Sequence, residues 1–343
     1  MDLADRKMKI LQAIIRDFIT TAEPVGSRTI AKKYDLGISS ATIRNEMADL
    51  EELGYLQQPH TSAGRVPSDK AYRLYVDRIM MMKKIAQIEK NIIQKSLAEK
   101  IGELEQLISS TAKILSQVTK LTSVVISPQY RHNRLKHIQL IPIDNRSILL
   151  VIVLDSGIVK NAVLRVAEEM SVEHLDKVSK MLNHRLQGLT VADISNKLIQ
   201  SVKDEMQMFS SVISVIMPTV MSTLEEIEDV HLYLDGLINM LNLPEYNDIH
   251  KAREFISMLD QKDLLKDLLI NAQDDVSITI GKENKHENLQ ECSIITATYK
   301  LNGRTVGKIG VIGPTRMDYD NIVSVVDFMK NNLTQLLTDH QGE

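Results

Sequence analysis

Residues 23–67, EPVGSRTIAKKYDLGISSATIRNEMADLEELGYLQQPHTSAGRVP, decide how the first quarter of this chain folds. Glu23-Pro24-Val25-Gly26 is a break, because Pro and Gly punctuate helices. Ser27 then offers an N-cap for a short helix through Tyr34, with Ile30 and Ala31 turned inward and Arg28, Lys32 and Lys33 outward. Asp35-Leu36-Gly37-Ile38 is a tight turn. Ser39 and Ser40 cap a third helix running to Leu53, and Gly54 stops it. In that helix Ile43, Met47, Leu50 and Leu53 form one apolar stripe, and Ser40, Thr42, Arg44, Asn45 and Ala48 lie off it. Two short helices joined by a glycine-containing turn make a helix-turn-helix pattern.

The flanks extend the pattern. Upstream, Ile10, Ile14, Ile15 and Phe18 recur at helical spacing, which predicts a first amphipathic helix from about Arg6 to Thr21. Downstream, Tyr55 to Pro59 alternates like a short strand, His60 to Gly64 is turn chemistry, and Arg65-Val66-Pro67 is the returning strand. A hairpin directly after a third helix is a wing. Ser68 then caps a helix that carries Tyr72, Tyr75, Val76 and Ile79.

This arrangement carries the chemistry of duplex recognition. The hydroxyls of Ser39, Ser40 and Thr42 sit where a helix N-terminus takes phosphate oxygens. Arg44 and Asn45 have the donor and acceptor patterns for guanine and adenine edges in a major groove. Arg28 and Lys32 are further phosphate candidates, and His60 and Arg65 at the hairpin can reach the backbone or the minor groove. The competing reading of the third helix as an ordinary solvated face loses ground once the hairpin follows it.

Composition fits a protein of two or three domains. The 343 residues are 43% hydrophobic and 25% charged, with 4% aromatic residues, no Trp and 16 Met, so aliphatic side chains and Met fill the cores. The net charge of −4 hides an asymmetry. Residues 1–136 carry 22 Lys and Arg against 15 Asp and Glu, and the remainder carries 19 against 30. A basic front half points to a polyanionic partner at that end. The single cysteine, Cys292, excludes an internal disulfide framework and fits a reducing cytoplasm, where it reads as a small buried hydrophobe. The first residues lack the apolar run of a signal peptide. The longest apolar run, Ile148 to Leu154, suits a buried strand and is far short of a bilayer span.

The stretches EPVGSRTIAKKY, ISSATIRNEMADLEELGYLQQPHTSAGRVPSD and AYRLYVDRIM, together with LNLPEY, IGKEN, CSIITATY and GKIGVIGPTRMDY near the far end, closely resemble the HrcA family of bacterial heat-inducible transcription repressors. The resemblance spans nearly the whole chain. It implies an α+β protein with an N-terminal winged helix-turn-helix, a GAF-like α/β domain and a mainly helical inserted dimerising domain. It also implies a homodimer that binds an inverted-repeat operator in double-stranded DNA ahead of chaperone operons of the groE and dnaK type, with its activity maintained by the GroE chaperonin.

The rest of the chain supplies the domain plan. Ile79 to about Val118 reads as helix, rich in Lys, leading away from the DNA-binding segment. Strands are expected at 123–126, 137–143, 147–154 and 158–164, helices from about Val172 to Ile270, then strands at 276–280, 293–299 and 305–312 with an Asn302-Gly303 hairpin turn. Asp318 caps a final helix to about Leu337. Strands on both sides of a helical stretch read as one sheet interrupted by an insertion. The domain plan is therefore 1–78 for the winged helix, 79–166 and 226–343 for the two parts of the GAF-like domain, and 167–225 for the insertion. The Met-rich run from Met206 to Met221 is either a helix core or an adaptable partner surface.

Enzyme chemistry finds no support. Walker-type loops, nucleophile elbows and His-Glu-x-x-His helices are absent from the sequence, and the nine His are scattered, so neither a metal nor another cofactor is expected. Gly307, Gly310 and Gly313 alternate with Ile and Val in strand fashion, so they read as a turn at the end of a strand and not as a phosphate loop. Arg316 reads as a salt-bridging residue. The alternative to a chaperonin-maintained repressor is a DNA-binding regulator gated by a small effector in the GAF-like domain.

Overall fold

The computed structural model describes residues 5–60, 64–98, 104–127, 134–155, 159–166, 170–190, 193–194, 210–228, 231–270, 275–301 and 304–339. It is an α+β chain whose contacts divide it into two units, residues 1–127 with 232–338, and residues 128–231.

The first unit begins with α1 (Asp5–Thr21), α2 (Ser27–Lys33) and α3 (Ser40–Glu52). The β1 (Leu56–Gln57) and β2 (Val66–Pro67) hairpin follows, then α4 (Asp69–Leu74). The last of these opens into a wider turn over Tyr75–Ile79, where the Met80 N–H reaches the Tyr75 carbonyl at 2.8 Å. Two further helices, α5 (Gln87–Ala98) and α6 (Leu104–Thr119), lead to strand β3 (Thr122–Ile126). The expected continuous helix from Ile79 is therefore broken over residues 80–86.

The second unit holds β4 (Leu135–Pro142), β5 (Ser147–Leu154), β6 (Val159–Arg165), α7 (Val172–Leu186) and α8 (Ser210–Glu228). Its three strands form an antiparallel sheet of their own in the order β4-β5-β6. Along β5 burial alternates residue by residue, which puts Ile148, Leu150, Ile152 and Leu154 on one face. That face joins a core with Leu175, Val178 and Leu182 of α7 and Ile216, Met217 and Val220 of α8. The α7 side chains also satisfy strand backbone. Asn183 accepts from the Ile138 N–H at 2.8 Å and donates to its carbonyl at 2.7 Å, and Ser179 accepts from the Leu140 N–H at 3.0 Å. Edge strand β4 is thus capped by polar groups of a helix. Within the Met-rich run Ile216, Met217 and Val220 are core, and Val215 and Met221 pack against it; Met206, Met208 and Phe209 lie outside the described residues.

The chain returns to the first unit with β7 (Leu232–Asp235), α9 (Leu237–Met240), α10 (Ile249–Leu259), α11 (Lys262–Ile270), β8 (Val276–Ile280), β9 (Cys292–Leu301), β10 (Arg304–Pro314) and α12 (Tyr319–Asp339). Five strands pair antiparallel in the order β7-β3-β10-β9-β8. β3 is buried at every residue, as is β9 from Cys292 to Tyr299, so this sheet is covered on both faces. From α12, Val325, Val326, Met329 and Leu333 are buried with it.

The sheets differ from the single interrupted sheet expected from the pattern. The strands at 135–165 pair among themselves and none joins the five-stranded sheet, so the contact boundary falls at 127 and 231 where the sequence reading drew 166 and 225. Alternation marks a half-buried strand but does not encode its pairing partner. The four-residue β7 falls inside the expected helical stretch, because four residues hold too little periodicity to show. The Asn302-Gly303 turn lies outside the described residues, and the strands on either side of it pair as a hairpin.

All three glycines of the 307–313 series lie within β10, where the sequence reading had a turn at the end of a strand. Gly307 faces Tyr299 of β9, whose hydroxyl crosses to the Ile126 carbonyl on β3 at 2.6 Å. A Cβ on residue 307 would stand 2.2 Å from that hydroxyl oxygen. The missing side chain is the lane through which β9 bonds to a strand two places away. Gly307→Ala should therefore lower unfolding stability by about 1–3 kcal/mol through overpacking and a displaced buried hydroxyl. Unchanged denaturant midpoints would refute this role.

Candidate nucleic-acid interface

The geometry of the N-terminal residues follows from three capping groups. Ser39 accepts the Thr42 N–H at 3.1 Å, as an N-cap should, and its hydroxyl also lies 3.0 Å from that of Thr42. Gly54, at φ +76°, ends α3 in the left-handed conformation that favours glycine, with its N–H on the Glu51 carbonyl at 2.9 Å. Ser68 serves two elements at once: its hydroxyl accepts the Ala71 N–H at 3.3 Å and donates to the Gly54 carbonyl at 2.7 Å. The second helix differs from expectation. Gly26 holds the N-cap position without a side-chain bond and Ser27 is the first helical residue.

Packing then fixes which face of α3 is shown. Ile43, Met47 and Leu50 are buried together with Ile10, Leu11, Ile14 and Ile15 of α1 and Ile30 of α2. Arg44 and Asn45 are left exposed, as are Arg28 and Lys32 one turn apart on α2, and His60 beyond β1. Among the described residues no side-chain hydrogen bond or ion pair engages any of these five. Ser40 and Thr42 are half-buried at the start of α3, beside the exposed Ser39.

Three of the four acids of α3 are held in ion pairs. Lys7 on α1 holds Glu46 and Asp49, each at 2.6 Å, and Arg6 adds a 3.4 Å contact to Glu46. Hydrogen bonds to Asp49 and Glu46 raise the Lys7 pKa above its ordinary value, so the ammonium stays charged. Arg65 binds Glu51 at 2.8 Å. Its backbone makes paired 2.9 Å bonds with Val25, which ties the returning strand to the segment before α2. Arg65 is thus a strut between hairpin and α3 as well as a cation beside them. On α2, Lys33 pairs with the buried Asp17 of α1, and that bond raises the Lys33 pKa.

The sequence reading did not identify these ion pairs. The helical spacing of Glu46 and Asp49 carried a weak signal, but Lys7 lies about 40 positions away. The interface nevertheless gathers the nine candidates on α2, α3 and the hairpin. Tip residues 61–63 lie outside the described residues.

Cys292 is buried, with the Tyr246 hydroxyl at 3.6 Å, and burial pushes its thiol up to about 11. Among the described residues no three His, Cys, Asp or Glu side chains gather as a metal site would need, and no helix is long and apolar enough to cross a membrane.

Comparison with known proteins adds the following. Residues 105–323 match the family described as HrcA protein C terminal domain. The chain is 46% identical over 338 residues to a heat-inducible transcription repressor HrcA of Alkaliphilus metalliredigens, covering 98% of each chain. It is 47% identical over 341 residues to that of Clostridium tetani, covering 99% of this chain and 97% of the other. A crystal structure of a hypothetical protein shares the fold at TM-score 0.69 and 23% identity, over 99% of this chain and 100% of the other.

The double use of Ser68 makes a stability test. Ser68→Ala removes the α4 cap and strands the Gly54 carbonyl, so the protein should lose about 1–2 kcal/mol in chemical denaturation. A loss no greater than that of a surface Ser→Ala control would refute the shared-cap geometry.

Proposed function

The chain belongs to the HrcA family of heat-inducible transcription repressors, and on that premise we propose that it represses by seating α3 of an N-terminal winged helix in the major groove of operator DNA. The protein is a negative transcription regulator and not an enzyme. The observation that carries the proposed mode of binding is the charge arrangement on α3. Three of its four acids, Glu46, Asp49 and Glu51, are tied to Lys7 and Arg65, while Arg44 and Asn45 stand exposed on the polar face.

In this reading Arg44 and Asn45 contact base edges. Ser39, Ser40 and Thr42 at the α3 N-terminus, with Arg28 and Lys32 on α2, contact phosphate. His60 and Arg65 place the hairpin on the backbone. Two such modules in a homodimer read an inverted repeat, because a two-fold protein requires a two-fold site. The GAF-like domain is the five-stranded sheet with its helices, and the dimerising insertion is the unit carrying the three-stranded sheet. The repressor works in the cytoplasm on chaperone operons of the groE and dnaK type, and the GroE chaperonin maintains its active form. The family resemblance supports these last assignments.

Two substitutions separate the roles. Asn45→Ala should cost about 1–3 kcal/mol on the operator and relax the base preference, with little effect on random duplex. Arg65→Ala should weaken binding to every sequence and flatten the salt dependence by about one released counterion. Equal loss on operator and random DNA for Asn45→Ala, measured by titration at several salt concentrations, would remove it from the base-reading set. For the chaperonin, operator occupancy by heat-treated protein should recover on adding GroE and ATP. Full recovery without it would remove GroE from the mechanism.

A further inference from the structure

Several stretches that carry the family resemblance lie far apart in sequence yet meet at one place within the first unit. AYRLYVDRIM is on α4 and its wide turn, IGKEN follows β8, LNLPEY precedes α10, and GPTRMDY joins β10 to α12. Arg73 donates from Nε to Glu283 Oε1 at 2.7 Å and from its terminal nitrogen to the Ile278 carbonyl of β8 at 2.6 Å. The Lys282 N–H donates to Asp69 at 3.1 Å. The Tyr75 hydroxyl donates to Asp320 Oδ1 at 2.8 Å, and the Tyr72 and Tyr319 rings lie 5.8 Å apart. Arg316 grips Glu245 with two nitrogens, at 2.7 and 3.2 Å, and donates its remaining terminal nitrogen to the carbonyl of Ile19.

That last contact changes what the junction can do. Ile19 is in the final turn of α1, where carbonyls point outward and attract a cation. The helix has no basic residue of its own in that turn. Arg316 supplies it from the far end of the chain. The N-terminal module is therefore held at two places, the end of α1 and the length of α4. A hinge at the exit helix alone would leave the module free to rock, whereas a second attachment removes that freedom. Arg316 is only 12% exposed, and its planar fork fits a carboxylate and a carbonyl together.

We propose that Arg316, with Arg73 and Tyr75, is a positioning residue for operator recognition: this clamp lets the sheet domain dictate where α3 is presented, and so which half-site separation the dimer accepts. The inference rests on the dimeric DNA-binding reading above. A rigidly held pair of modules binds both half-sites only at one spacing, and a loosely held pair tolerates several. The junction also contains the buried Tyr72 hydroxyl, which has no hydrogen-bond partner among the described residues. Removing that oxygen should leave the clamp intact or tighten it, opposite to the effect of removing Arg316.

The experiment uses the full chain and an inverted repeat selected from a random duplex library by the wild-type protein. Its half-sites are then respaced base pair by base pair, and a single half-site serves as control. Wild type should favour one spacing by on the order of 10²-fold. Arg316→Ala should keep its single-half-site affinity within about twofold and flatten the spacing preference by about tenfold. Amide exchange in the last turn of α1 and in α4 should quicken in Arg316→Ala and stay the same or slow in Tyr72→Phe. If Arg316→Ala does not fold, Arg316→Lys takes its place, since a single ammonium cannot span the two acceptors. A variant that folds and keeps the wild-type spacing profile overturns the proposal, as does unchanged exchange at α1. Should the wild-type chain select no duplex, the DNA-binding reading itself fails, and the exchange comparison still decides whether Arg316 clamps the module.

Discussion

The Arg316 guanidinium is the point on which the first unit turns. One planar group satisfies a carboxylate from the 3₁₀ turn at Pro244–Tyr246 and a carbonyl at the end of α1. A carbonyl at a helix C-terminus has no intrahelical donor, and a half-buried carboxylate is favoured by a cation nearby. Each of these groups left alone would be costly, and together they fit the fixed geometry of arginine. Residues 19, 245 and 316 come from opposite ends of the chain, so the contact forms only when the N-terminal helices and the five-stranded sheet are both complete. The bonds at Arg73, Tyr75 and Asp69 follow the same logic along α4.

Within the N-terminal helices a second balance operates. The helix proposed to lie beside a polyanion carries Glu46, Asp49, Glu51 and Glu52. Left free, these would repel phosphate. Lys7 and Arg65 draw three of them into ion pairs, and the same pairs fasten α3 to α1 and to the hairpin. Exposed ion pairs add little stability, so the consequence lies in the field presented by the helix. The helix therefore presents an ordered surface, with three of the four acids engaged and Arg44, Asn45, Arg28 and Lys32 exposed.

The second unit is built on a different economy, an aliphatic core between a three-stranded sheet and two helices. Its α7 polar groups, Asn183 and Ser179, cover one edge of the sheet. That leaves β6 as the other edge, with Val159 and Val163 exposed along it.

The sequence alone determined the local elements. Caps at Ser39 and Ser68, the stop at Gly54, the apolar stripe of α3 and the strands at 147–154 and 276–280 were legible, because each is set by residues within a turn or two of one another. The exposed set on α2 and α3 was legible for the same reason, since facing inward or outward follows from helical period. Tertiary structure decided what periodicity cannot carry. It assigned strands 135–165 to a sheet of their own, inserted β7 at the edge of the other, made Arg65 a strut as well as a surface cation, and brought Lys7 to Glu46 and Arg316 to Ile19. Strand pairing and long-range ion pairs depend on which segments the folded chain brings within a few ångströms of each other. A sequence states the chemistry of each partner, and only the closed fold supplies the distance.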